Sequence, residues 1–186
     1  GAVNPSGKLP FSFPAKLTDC GAHAFDELSY PGDSIKQEYK EDILVGYRWH
    51  DTKEIPALFP FGHGLSYTTF TYGKPVASAK AMAADGTLTV TVAVKNTGSI
   101  AGKEIVQLYV GDDKCSVLRP VKELKHFAKV GLAPGEEKSV TFTLTPDDLK
   151  FYDEASAAWK YEPGKFKAYV CASSADVRGV VSFEMQ

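Results

Sequence analysis

Apolar and polar residues alternate most cleanly between Leu88 and Lys95. Leu88, Val90, Val92 and Val94 take one parity, while Thr89, Thr91, Ala93 and Lys95 take the other. A period of two residues predicts a strand with one buried face. Asp85-Gly86 before it and Asn96-Thr97-Gly98 after it are turn chemistry. The next run, Glu104 to Val110, is more continuously apolar and suits a central strand. Arg119-Pro120-Val121 leads into a further strand pattern from Leu124 to Val130, and Ser139 to Thr145 alternates again with Val140, Phe142 and Leu144 on one face. Ala133-Pro134-Gly135-Glu136 between them fits a type II turn, with proline pre-setting the first central dihedral and glycine accepting the positive φ that follows.

Thr145-Pro146-Asp147-Asp148 predicts the start of a short helix, with threonine as cap, proline at the first helical position and acids facing the positive end of the dipole. Glu162-Pro163-Gly164-Lys165 repeats the Pro-Gly turn before an apolar run from Phe166 to Ala172, and Val180 to Met185 supplies a last strand. About seven short strands separated by regular turn signals, with no long helix, predict a mainly β fold of the immunoglobulin-like sandwich type. The Cys…Trp…Cys spacing of antibody domains is missing, which favours the fibronectin type III-like variant.

The first third carries no such pattern. Asn4 to Pro10 is turn chemistry, Phe11-Ser12-Phe13 is a short strand-like piece, and Ala15 to Lys40 shows no sustained period of either kind. Long structureless loops are uncommon inside a compact domain. Residues 15–40 are therefore expected to lack a fixed conformation, or to be held by a second copy of the chain. Asp42 to Trp49 contains an apolar element too short to make a core with Phe11 alone. The expected organisation is residues 1–66 as the tail of another domain plus a linker, and residues 67–186 as the sandwich.

Composition narrows the function classes. The chain has 21 basic and 23 acidic residues, a formal net charge of −2 and no Lys/Arg run, so nothing marks a nucleic-acid footprint or an anionic membrane surface. Its apolar runs fall well short of the ~20 residues of a spanning helix. Three cysteines without a CxxC pair and four scattered histidines call for no metal and no cofactor. Cys171, inside an apolar run, reads as a buried and inert thiol.

Several strings carry a family likeness. They are Gly1-x-x-Asn4-Pro5-Ser6-Gly7-Lys8-Leu9-Pro10, Val45-Gly46-Tyr47-Arg48-Trp49-His50-Asp51, the long run from Phe59-Pro60-Phe61-Gly62-His63-Gly64 to Phe70, and Ala101 to Val110. Arg119 to Lys125, Ala133 to Glu136, Asp148-Leu149-x-Phe151-Tyr152 and Glu162-Pro163-Gly164 follow in order. Together they resemble the C-terminal portion of glycoside hydrolase family 3 β-glucosidases. The resemblance implies that residues 1–66 end an α/β sandwich domain and that a fibronectin type III-like domain follows. It implies a longer parent enzyme, periplasmic or secreted, that removes terminal β-D-glucosyl residues from the non-reducing end. Its partners would be the upstream catalytic domains of the same polypeptide and an oligosaccharide substrate. Retaining hydrolysis needs two carboxyl groups about 5 Å apart. Neither family motif for them occurs here, so no catalytic residue is assigned and this chain alone is expected to be no enzyme.

The residues themselves leave other roles to weigh. Asp112-Asp113, Asp147-Asp148 and Asp153-Glu154 are tempting acid pairs, but sequence neighbours point in different directions. Trp49 and Trp159, with Tyr47, Tyr152 and Tyr161, are the candidates for a sugar platform of an independent carbohydrate-binding module. Packing is the competing role, with Trp159 over an edge of the sandwich and Trp49 against an absent domain. His63 reads as structural because the glycines on both sides mark a backbone that must turn closely, and the pair His50-Asp51 reads as structural because no nucleophile motif accompanies it. An adhesion or protein-interaction module is a further alternative, resting on fold analogy alone.

Overall fold

In the computed structural model, which describes residues 1–186, the chain forms thirteen strands, one short α-helix and three 3-10 turns. The strands are β1 (Phe13–Pro14), β2 (Ala57–Phe59), β3 (Phe70–Tyr72), β4 (Val76–Ala77), β5 (Ala81–Met82), β6 (Leu88–Asn96) and β7 (Gly102–Asp112). They continue with β8 (Glu123–Leu132), β9 (Glu137–Leu144), β10 (Phe151–Asp153), β11 (Ala158–Lys160), β12 (Gly164–Cys171) and β13 (Val177–Met185). The helix α1 is Tyr47–Thr52.

One sheet runs β5-β13-β12-β7-β8, antiparallel except for the parallel β13–β5 pair. In the other, β6 is central, with β9 on one side and β3 and β4 on the other. Their facing sides make the core. Leu88, Val90, Val92 and Val94 of β6 pair in register with the β9 side, where Leu88 meets Leu144, Val90 meets Phe142 and Val92 meets Val140. Against them lie Val106, Leu108 and Val110 of β7, Phe166, Ala168 and Val170 of β12, and Phe183 and Met185 of β13. Burying one such aliphatic or aromatic side chain stabilises the fold by about 1.5–3 kcal/mol. The core therefore follows directly from the alternation in the sequence.

The turns carry the residues their geometry needs. Gly135 has φ +74°, and Glu136 donates its backbone N–H to the Ala133 carbonyl at 3.0 Å. The expected helix start is a single 3-10 turn, Pro146–Leu149, in which the Asp148 carboxylate accepts the Thr145 backbone N–H at 2.8 Å. Gly164 opens β12 instead of sitting in a turn.

The fully buried cluster between the sheets holds no residue earlier than Met82, and the earliest residue packed against it is Phe70. Residues 1–66 instead form a strap that meets the outer face of the five-stranded sheet through Tyr47, against Tyr109 and Leu124, and through Gly62, against Gln107. That explains why Val106 to Gly111 of β7 is buried without interruption, on both faces. Residues 15–40 differ from the expectation of a segment without fixed conformation. Two 3-10 turns (Leu17–Asp19 and Gly21–His23) lead into a loop closed by Glu38 N–H to the Leu28 carbonyl (2.8 Å) and by Lys40 to Asp26 (2.5 Å). Asp33 folds the tip by accepting the Ile35 and Lys36 N–H groups at 2.7 and 2.6 Å, a local arrangement that leaves no hydrophobic period in the sequence.

Candidate functional site

The strap is fastened to the sheet by a buried polar network. Gln107 of β7 donates its amide to the Gly62 carbonyl (3.3 Å) and the Ala172 carbonyl (2.9 Å), and accepts the Tyr109 hydroxyl at 2.6 Å. Tyr109 is fully buried and meets Tyr47 of α1 edge to face, with centroids 5.6 Å apart. The Tyr47 hydroxyl in turn accepts the Leu124 N–H at 2.9 Å. A buried polar group costs little only when it is paired, and here the pairing spans both halves of the chain. Lys8–Glu104 (3.0 Å) and Asp51–Lys122 (2.7 Å) add largely enclosed ion pairs across the same junction. Asn4 completes it, donating to the Ala101 carbonyl and accepting from Ser66 Oγ and the Tyr67 N–H.

The histidines singled out in the sequence belong to this fastening. His63 accepts the Leu9 N–H at its backbone carbonyl (2.8 Å), and its ring lies 5.5 Å from Phe59. Its flanking glycines are there for approach: a Cβ on Gly62 would enter the Gln107 amide, and one on Gly64 would strike the Gly7 carbonyl. His50 Nδ1 is 2.9 Å from the Ile55 carbonyl, while its neighbour Asp51 serves Lys122. Cys171 is fully buried, and burial pushes its thiol up to about 12.

The acid pairs are divided among separate tasks. Asp113 pairs with Lys167, Asp147 with Lys150 and Asp153 with Lys160, while Asp148 caps Thr145 and faces His126 at 3.1 Å. Asp112 faces Arg119 at 3.5 Å, and burial raises its carboxyl above the ordinary range. No group of three or more His, Cys, Asp or Glu side chains has a geometry that could hold a metal ion.

The two tryptophans part company. Trp49 is 6% exposed. Contrary to the expectation of packing against an absent domain, it packs inside the strap, against Gly21 and edge-on to Phe25, and donates its indole N–H to the Asp19 carbonyl at 3.0 Å. Trp159 is 66% exposed. It does not cover an edge of the sandwich, because β10 and β11 form a separate two-stranded arm that carries it outward. Ala157, at φ +51°, closes the tip of that arm. Tyr152 sits opposite Trp159 in register, 50% exposed, with the rings at 72° and centroids 5.7 Å apart. Tyr161, the remaining candidate, packs partly buried against the core.

Arg119 fixes the base of the arm. Its guanidinium donates to the Leu149 carbonyl (3.0 Å) and to Glu123 (3.0 Å), and lies 5.7 Å from the Phe151 ring centroid. Between the arm and the strap lies a groove of about 760 Å³, bordered by Trp159, Tyr152, Ile43, Leu118, Asp42 and Glu154. Sequence reading found its aromatics and singled out Glu154 with Asp153, but missed Asp42. Nothing in the local pattern brings Asp42, more than a hundred residues earlier, to the arm.

Comparison with known proteins accounts for the chain as a whole. A fibronectin type III-like domain model matches residues 104–174. Over 99% of its length the chain is 67% identical to a β-glucosidase of Bacteroides ovatus, and it covers 25% of that protein. It is 51% identical over 95% of its length to thermostable β-glucosidase B of Acetivibrio thermocellus, covering 23% of it. Among solved structures, DesR, a β-glucosidase from Streptomyces venezuelae in complex with D-glucose, superposes over the whole chain at 43% identity with a TM-score of 0.91, across 24% of DesR. A family 3 β-glucosidase of Bifidobacterium adolescentis matches the whole chain at 35% identity with a TM-score of 0.90, across 26% of that enzyme. The chain thus spans about a quarter of the length of the relatives it matches. Along nearly its whole length it is similar to the C-terminal, fibronectin type III-like region of glycoside hydrolase family 3 β-glucosidases.

Proposed function

We propose that this chain works as the non-catalytic accessory portion of a longer family 3 β-glucosidase, whose catalytic domains hydrolyse terminal non-reducing β-D-glucosyl residues. The observation that carries the reading is the end-to-end match to a quarter of such enzymes, in a fold where Asp113, Asp147, Asp148 and Asp153 are spent on caps and ion pairs. The sandwich is the rigid body, and the strap is the piece that passes from it toward the remainder of the polypeptide. Apolar side chains left open on the strap, among them Val3, Ile35, Tyr39, Val45 and Leu65, are suited to packing against those upstream domains. With this reading goes a periplasmic or secreted parent, which fractionation of producing cells tests.

A chimera tests the function itself. The corresponding C-terminal quarter of the Bacteroides ovatus relative is replaced by residues 1–186. A folded chimera that retains hydrolysis of aryl β-glucosides supports the reading, and a folded but inactive one contradicts it.

A further inference from the structure

We propose that the Trp159–Tyr152 arm and the groove at its foot bind a β-linked gluco-oligosaccharide. The choice of sugar rests on the β-glucosidase reading above; the site itself rests on geometry. Two rings opposite each other in register, at 72° and 5.7 Å between centroids, make a corner. An open tryptophan face there can take the C–H face of a pyranose. Neither ring belongs to the core cluster or packs against it, and both are at least half exposed. A volume of about 760 Å³ lies within the roughly 300–1,000 Å³ usual for ligand clefts.

The polar groups choose among ligands. Each basic side chain of the groove already has a carboxylate: Arg48 has Glu123, Arg119 has Glu123 and Asp112, and Lys150 has Asp147. An anion therefore finds no free partner. Asp42 accepts only the neighbouring Ile43 N–H (2.7 Å), and Glu154 takes part in no ion pair. An apolar protein surface docked here would strip both carboxylates of water without replacing the hydrogen bonds. Sugar hydroxyls donate to such carboxylates while the ring stacks on the indole. Asp42 and Glu154 are both open to solvent, whereas acid catalysis by a carboxyl group relies on a desolvated pocket. The groove is thus a holding site.

The chain carries two tryptophans, one buried and one exposed, so intrinsic fluorescence reports on the arm. Titration of the whole chain with cellotetraose should give a saturable change in emission that is unaffected by raising the salt concentration. Trp159→Ala should abolish the change, and calorimetry should show binding weakened by about tenfold or more. Glu154→Gln, an exposed substitution that leaves the fold alone, should weaken binding with the emission change retained. No response in the wild-type chain would overturn the proposal, as would a response surviving in Trp159→Ala. Binding lost at high salt would overturn it too, because a neutral sugar held by stacking and hydrogen bonds has no ion pair to screen. Enclosure of Trp159 by the catalytic portion of a family 3 β-glucosidase, without any response to cellotetraose, would assign it to interdomain packing. An active chimera with a silent Trp159 sinks only this proposal; an inactive chimera with a sugar response sinks only the family reading.

Discussion

Two constraints meet at Gly62. Its backbone has φ +79°, and its carbonyl accepts from Gln107 at a point where a Cβ would collide with that same amide. Gly62→Ala is therefore predicted to cost about 1–3 kcal/mol, from the left-handed backbone and the displaced network together. Denaturant unfolding measures it, and an unchanged midpoint would contradict the account. The Gly62-His63-Gly64 string was legible as a close turn, because two glycines flanking a bulky residue signal approach. Its partner Gln107 was not. It lies inside an apolar strand pattern, and nothing in a single chain says which polar residue of a buried strand faces a loop 45 residues earlier.

Among the elements, the paired strands β6 and β9 were readable because a two-residue period demands that one face be buried. Trp159 was misplaced on other grounds. It was taken to cover an edge of the core because aromatics carry the largest packing payload, yet β10 and β11 pair only with each other. A hairpin and an added sheet strand have the same local pattern; only the absence of a third strand to pair with separates them.

The foot of this arm makes a pH-dependent claim. Glu123 is partly enclosed, and burial pushes its carboxyl upward, but Lys125, Arg119 and Arg48 outweigh that, and its pKa falls below the ordinary 4.5. A carboxylate lowered in the folded state adds stability that is complete above its unfolded pKa and is lost as pH falls through the folded value. Stability should accordingly drop as the pH is taken below about 4.5, and Glu123→Gln should flatten that part of the curve. Denaturant titrations at successive pH values read this directly, and equal acid sensitivity in both proteins would count against it.

For the whole molecule, the division of labour is between a sandwich with its own core and a strap without one. The sandwich could be read from pattern alone. The strap was visible in sequence only as a lack of period, and its fixed course is set by long-range contacts of Tyr47, Asp51 and Asn4. The likeness to family 3 β-glucosidases was legible through the strings around Phe59 to Phe70, and the accessory role proposed above rests on it. The most direct test is the purified chain alone, assayed with an aryl β-glucoside. The account predicts no hydrolysis above the uncatalysed background; turnover that co-purifies with the chain through successive separations and persists after trace enzymes are removed would contradict it.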